Sequence, residues 1–237
     1  MVLLAAPAGA QSQGGSFSIG QNGKPVGTAS FKVSPAPAGF DSTSTVRVDM
    51  QGLNYALSKT EQLSSTGSLV HVQVSAAVNG SAVNVIAKPD GAQILMNTSA
   101  NGRSSTTQLA AHKLAVFLPD FDPGAIETLL TMAAKNNGRD LWAIIPKQAG
   151  SIQPIQLATY RDEQGTLNGT AITVHHIVAT IAGAETDLFS GPENQLLQAE
   201  LPQNGFALIR NGFVLKPPTK APAAPPATAS DQSPTAK

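Results

Sequence analysis

The sequence predicts an α+β protein in which a single curved antiparallel β-sheet packs on one main α-helix. Apolar and polar residues alternate in many segments, as they do in strands that bury one face. Asn-Gly and Asp-Gly pairs separate several of these segments, and such pairs are typical of tight hairpin turns. Only one segment carries a clear helical period, so we expect the helix to cover one face of the curved sheet.

Composition excludes several classes of protein. The chain has 237 residues, of which 41% are hydrophobic, enough for a substantial core. Its net charge is zero and no cluster of Lys and Arg occurs, so the sequence does not predict a nucleic-acid partner. There is no cysteine, which excludes disulfides, thiolate nucleophiles and cysteine metal sites.

Two hairpins are predicted near the start of the chain. Asn22-Gly23 separates the strands of the first, and Gly52 separates those of the second. The four strands span residues 16–19, 27–33, 44–50 and 55–63.

A meander of four more strands is predicted from residue 69 onwards. Its turns are Asn79-Gly80, Asp90-Gly91 and Asn101-Gly102, which follow one another at intervals of eleven residues. The fourth strand, beginning at Arg103, is polar on both faces. We therefore expect it to lie at an edge of the sheet or over solvent.

The helix is predicted over residues 122–138. Asp122 is a suitable N-cap, and Pro123 fits the first helical position. Glu127 and Lys135 lie towards the ends of the helix dipole that favour their charges, and Gly138 is the expected C-terminal cap. The apolar stripe consists of Ile126, Leu129, Leu130 and Ala133.

Strands are predicted again after the helix. The segment before the helix, residues 109–118, is compatible with either a helix or a buried strand. Gly165, Asn168-Gly169, Asn204-Gly205 and other turn residues separate the later segments. These strands lie within residues 141–146, 152–162, 169–183, 184–191, 195–202 and 206–215.

The chain is predicted to hold one domain, over residues 15–215. Residues 1–14 are expected to be the remnant of a signal peptide, because a short apolar run precedes the cleavable triplet Ala8-Gly9-Ala10. A disordered Ala-rich leader is the alternative. Residues 216–237, rich in Pro and Ala, are expected to form a disordered tail. These features predict a periplasmic or secreted location, and no transmembrane segment is expected because no apolar run is long enough.

The sequence does not predict an enzyme or a cofactor. It lacks the nucleophile turn of serine hydrolases and the glycine-rich loops that hold phosphates. Asp162 and Glu163 are adjacent on a predicted strand and should point to opposite faces, at a solvated hairpin end. A hydrolase whose catalytic groups are scattered through the sequence is a further alternative.

Histidines do not predict a metal site. His175 and His176 are neighbours on a predicted strand, so only one of them can face a given cavity. His176 shares its face with Val174 and Val178, where a core histidine with one hydrogen bond is the commoner role. His71 and His112 complete the set without the spacing of zinc ligands.

Apolar residues on the strands and on the helix could line a cavity for an apolar ligand. An ordinary core with no cavity is the alternative for the same residues. The candidate lining residues are Val72, Val74, Val83, Val85, Ile94, Met96, Ile126, Leu130, Ile172, Val174 and Val178.

The second half of the chain resembles a group of uncharacterised exported bacterial proteins that are abundant in acidobacteria, and the first hairpin is similar to their opening hairpin. The chain departs from their pattern at Gly191-Pro192, where a turn of another form is expected. The matching residues are Asp187, Leu188, Leu196, Leu197, Pro202, Gly205, Arg210, Gly212 and Phe213.

More distantly, the arrangement of elements is similar to that of periplasmic lipoprotein carriers of the LolA type. That resemblance implies an incomplete barrel closed by helices over an apolar cavity. It also implies a non-enzymatic function, which is to bind or carry a lipid, an acyl chain or a lipoprotein in the periplasm. The alternative is a structural or interaction protein of the cell envelope, which would contact a partner through the polar strand at residues 103–108 or through the tail.

Overall fold

A computed structural model describes residues 13–147 and 150–217. The predictions made for residues 1–12 and 218–237 lie outside the described residues. Within the described ranges the chain forms seventeen strands, one α-helix and one short 3₁₀ turn at Pro202–Asn204. The first strand begins at Gln13, two residues before the predicted start of the domain.

The first eight strands form an antiparallel meander, in which each strand pairs with the next one along the chain. Both predicted hairpins and the four predicted strands that follow them are present. The strands are β1 (Gln13–Gln21), β2 (Lys24–Ala36), β3 (Gly39–Met50), β4 (Leu53–Ser64), β5 (Leu69–Val78), β6 (Ser81–Asp90), β7 (Gln93–Ala100) and β8 (Arg103–Ala110).

The three turns that connect β5 to β8 are of two kinds. Asn79 and Asn101 have φ values of 49° and 52°, and a glycine of positive φ follows each of them. This is the backbone of a type I′ turn, which twists in the same sense as the strands. Asp90 instead ends β6, and Gly91 opens the turn with a φ of 60°, so this glycine occupies the first turn position.

The helix α1 (Pro123–Asn136) begins and ends close to its predicted limits. The Asp122 carboxylate caps it by accepting hydrogen bonds from the backbone N–H groups of Gly124 at 2.9 Å and Ala125 at 3.3 Å. At the other end Asn137 and Gly138 both have positive φ, and the Gly138 N–H donates to the Ala133 carbonyl.

A second set of strands comes before and after the helix along the chain. The ambiguous segment before α1 contains a buried strand, β9, and the strands that follow α1 include one, β12, that the sequence did not predict. The strands are β9 (Ala115–Phe117), β10 (Trp142–Ile145), β11 (Ser151–Thr159), β12 (Glu163–Leu167), β13 (Thr170–Ile181), β14 (Ala184–Ser190), β15 (Leu196–Leu201), β16 (Phe206–Arg210) and β17 (Phe213–Leu215).

One large, mostly antiparallel sheet unites the two sets of strands, because β1 pairs with β16 as well as with β2. The one parallel pair among the described residues joins β9 to β10. In the described part of the chain, the residue pairings join β8 to β7 and β9 to β10 and none joins β8 to β9, so the sheet does not close on itself. The polar strand β8 therefore lies at an edge, as the sequence predicted.

The main hydrophobic core lies between α1 and the face of the sheet that we call the inner face. Leu129 and Leu130 of the helix are buried there, and α1 contacts β2, β3, β9 and β15. A second, smaller cluster contains Val174, Phe189, Leu197 and Phe213. It lies on the outer face, since the neighbouring residues Leu188 and Leu196 belong to the main core.

The structure thus confirms the coarse prediction of an α+β fold with one large sheet and one main helix. In the described part of the chain, no helix has the length and apolar character needed to cross a membrane.

Candidate functional site

The predicted lining residues do not all lie around one cavity. Those on the meander and on α1 belong to the main core or pack against it, and Leu130 also borders a small cavity of about 340 Å³. Ile172 and Val174 belong to the second cluster on the outer face, and Val178 is partly buried. Seven residues of the set are at most 4% exposed: Val72, Val74, Val85, Ile94, Met96, Leu130 and Val174; Val83 and Ile126 are partly buried.

A larger cavity, of about 630 Å³, lies along the face of α1 that carries Glu127, Thr131 and Lys135. It lies between the helix and the end of the sheet at which β1 and β3 begin and β2 and β4 end. The side chains of Thr128, Thr131 and Met132 face it from the helix. We take this space, named here the α1 cavity, as the candidate binding site.

One wall of the α1 cavity is apolar. It consists of the strand ends that lie next to one another in the meander, where Phe40 of β3 pairs with Leu63 of β4. Met132 completes it from the helix, beside the loop at Gly67. The side chains contributed by the strands are Val33, Pro35, Phe40 and Leu63.

The opposite wall is mostly polar. Gln13 of β1 pairs with Val33 of β2. The polar wall therefore begins on the strand that lies directly beside the apolar wall. Arg210 of β16, together with Glu193 and Gln195 of the loop before β15, continues it.

Glu127 lies between the helix and this polar wall. One carboxylate oxygen accepts a hydrogen bond of 2.6 Å from the backbone N–H of Leu196, which links α1 to β15. Burial raises the pKa of Glu127, while the Leu196 N–H and the charge of Arg210 oppose that rise. The sequence predicted only an interaction with the helix dipole for this residue, whereas its side chain reaches across to another strand.

Arg210 is fixed by carbonyl oxygens rather than by a carboxylate. Its guanidinium donates to the Leu196 carbonyl at 2.9 Å and to the Gly14 carbonyl, and it lies 5.7 Å from the centre of the Phe17 ring. Among the described residues, Arg210 makes no ion pair within 4.0 Å. Its charge acts on Glu127, and its side chain lines the cavity.

A second polar cluster is buried beneath the N-terminus of α1. The Lys59 ammonium lies 2.7 Å from Asp122 Oδ2 and 3.0 Å from Glu61 Oε2, and all three side chains are fully buried. Burial disfavours the ammonium, but the carboxylates of Asp122 and Glu61 outweigh it and raise the pKa of Lys59. Burial also raises the pKa of Glu61, against the opposing charge of Lys59.

The two serines opposite this pair, Ser42 and Ser44, are buried on β3. Neither hydroxyl has a hydrogen-bond partner in the described part of the chain. A Cβ added to Gly124 would lie 2.4 Å from the Ser44 hydroxyl, so the start of α1 closes over this cluster. The cluster is sealed and positions the helix rather than receiving a ligand.

His176 lies between two carboxylates. Its Nε2 is 2.8 Å from Asp187 and its Nδ1 is 3.4 Å from Glu163, and its ring stacks between Tyr160 and Phe189. The sequence predicted one hydrogen bond and a core position, but β12 and β14 supply a carboxylate each.

His175 points to the other face and lies 2.9 Å from Asp162. Within the described ranges, no group of three or more His, Asp or Glu side chains is arranged to hold a metal ion.

The residues that line the α1 cavity do not coincide with the lining residues predicted from the sequence. They come from strand ends and loops that are distant in the chain, such as Gln13, Phe40 and Gln195, and they share no motif or period. Glu127, Lys135 and Arg210 are named in the sequence predictions, but as helix-dipole residues or as part of the resemblance and not as cavity-lining residues.

Comparisons of the chain with protein-family models, with curated proteins and with solved structures give no match.

Proposed function

We propose that this protein is a non-enzymatic binding or carrier protein that holds the apolar chain of a ligand in the α1 cavity. A single observation carries the proposal: a space of about 630 Å³ lies between the helix and the strand ends, with apolar side chains on one wall. Binding sites of this kind are typically concave and partly apolar, with a few polar groups that orient the ligand.

The resemblance to LolA-type carriers supports the same proposal at the level of the fold alone. A sheet that packs around a helix without closing provides the general arrangement that such carriers use. A lipid or an acyl chain is the ligand class that fits this analogy, and the small-residue triplet Ala8-Gly9-Ala10 supports a periplasmic or secreted location.

Native mass spectrometry of the gently purified protein tests the proposal. We expect a co-purified species with the mass of a lipid, which organic extraction should remove. The extracted protein should then bind the uncharged apolar dye N-phenyl-1-naphthylamine with a rise in its fluorescence. A clean protein mass combined with no dye binding would reject the carrier function.

A second candidate is an interaction protein of the cell envelope, and the edge strand β8 favours it. Its Ser and Thr side chains are mostly exposed, and within the described ranges its residues pair with those of β7 alone. An edge of this kind can add a strand from a partner. Loss of a co-purifying protein when Thr106 is replaced by Pro, with the lipid retained, would favour this candidate.

A further inference from the structure

The apolar and the polar wall of the α1 cavity come from different, neighbouring strands of the sheet. The ends of β4, β3 and β2 supply Leu63, Phe40 and Val33, and the next strands in the sheet, β1 and β16, supply Gln13 and Arg210. The strand ends are therefore apolar on β2–β4 and polar on β1 and β16, while Leu167 of β12 adds one apolar side chain and Lys135 adds a charge beside Phe40. A ligand that fills it has an apolar part against β2–β4 and a polar part against β1, β16 and the loop before β15.

The charges on the cavity balance one another. Lys135 and Arg210 contribute two positive charges, and Glu127 and Glu193 contribute two negative charges. Arg210 and Glu127 interact electrostatically with each other. Lys135 lies over the Phe40 ring at 5.9 Å, and Glu193 is exposed. A charged group on the ligand would therefore have a like charge nearby whichever sign it carried, and like charges in contact are unfavourable.

Hydrogen-bonding groups remain available on the polar wall. The carboxylates accept hydrogen bonds, and the amides of Gln13 and Gln195 can both donate and accept. The Gln195 side-chain oxygen accepts from the Glu193 backbone N–H at 2.9 Å, which fixes the amide on the loop. Hydroxyl groups match this mixture, because each of them donates one hydrogen bond and accepts others.

We propose that the ligand of the α1 cavity is an amphiphile with an uncharged, hydroxyl-bearing head group, of the kind formed by glycerol or a sugar. This inference rests on the proposed carrier function. The head group lies against Gln13, Gln195 and Glu193, and the chain lies against Phe40, Leu63 and Met132. An uncharged head avoids the cost of placing a full charge in a partly buried site.

Displacement of N-phenyl-1-naphthylamine by three amphiphiles of equal chain length tests this inference. Monolaurin carries a glycerol head, laurate an anionic head and dodecylammonium a cationic head at neutral pH. All are used below their micelle-forming concentrations. We expect monolaurin to displace the dye at about tenfold lower concentration than either charged compound, a difference that selective contacts readily provide.

Two charge variants sharpen the test, because they should shift selectivity in opposite directions. Lys135→Gln leaves the cavity with a net negative charge and should improve displacement by dodecylammonium relative to laurate. Glu193→Gln should do the reverse. Lys32→Gln and Glu185→Gln are matched controls at exposed positions outside the cavity and should leave the order of the three compounds unchanged.

The possible failures are distinguishable. If the dye binds and all three compounds displace it equally, or a charged compound displaces it best, the head-group inference is wrong and the carrier function stands. If neither dye nor amphiphile binds, the carrier function itself fails, and the head-group inference fails with it.

Discussion

The Lys59 ammonium and the Asp122 carboxylate lie 2.7 Å apart with both side chains fully buried, and this pair joins β4 to the start of α1. Asp122 therefore has two roles, since its other oxygen caps the helix. Removing one member of a buried pair leaves the other charge uncompensated, which costs far more than the pair contributes by being present.

Replacing Lys59 with Met should lower the free energy of unfolding by about 3–5 kcal/mol, because the carboxylates of Glu61 and Asp122 would remain buried without a counter-charge. Urea denaturation followed by circular dichroism measures this loss. Lys32→Met is the control at an exposed position of β2, and its effect should stay within about 0.5 kcal/mol. Equal effects of the two variants would show that the buried cluster does not hold the helix.

Glu127→Gln should change how stability depends on pH. The pKa of Glu127 is raised in the folded protein above the ordinary glutamate value near 4.5, so the folded state holds this proton more tightly than the unfolded state does. The stability that this group contributes is fully present below pH 4.5 and is lost as the pH rises through the raised pKa.

Wild type should accordingly gain stability relative to Glu127→Gln as the pH is lowered from neutral towards 4.5. The glutamine can still accept the hydrogen bond from the Leu196 N–H, so the link between α1 and β15 is kept. Urea denaturation of both proteins across this pH range gives the difference. A difference that is constant, or that moves the other way, would contradict the burial of an ionisable carboxyl at this position.

Gly165→Ala should destabilise the outer-face cluster. A Cβ at Gly165 would lie 2.8 Å from the Phe213 ring and 3.0 Å from the Val214 carbonyl oxygen. Overpacking of this kind costs about 1–3 kcal/mol, measurable as a lower thermal midpoint. Gly20→Ala in β1 is the matched control, because its nearest neighbour would be an ordinary 3.5 Å away. A midpoint as high as that of the control would mean that Phe213 does not pack on this glycine.

Gly165 also shows where prediction from sequence reached its limit. The segment Glu163–Leu167 has a glycine in its middle and no clear alternation, so it was predicted as a turn. It forms β12 because it pairs with both β13 and β17, and such tertiary pairing leaves no local pattern. The Asn-Gly hairpins and the capped helix were predictable, since their chemistry is local.

The cavity was less predictable than the fold. Alternation identifies which residues face inward, and it correctly placed Val72 and Met96 in the core. It does not show where the core is incomplete, because this depends on how strand ends, loops and helix meet. The predicted lining residues instead fill the interior or cover the outer face, while Phe40, Leu63 and Arg210 surround the open space.

The central claim is that the α1 cavity holds an apolar chain, and dye binding to a blocked variant tests it most directly. Thr131→Trp places a large ring in the cavity from the helix, while Thr43→Trp places the same ring on an exposed position of β3. We expect at least about tenfold weaker binding of N-phenyl-1-naphthylamine by Thr131→Trp and unchanged binding by Thr43→Trp. Wild-type affinity in a folded Thr131→Trp protein would contradict the claim.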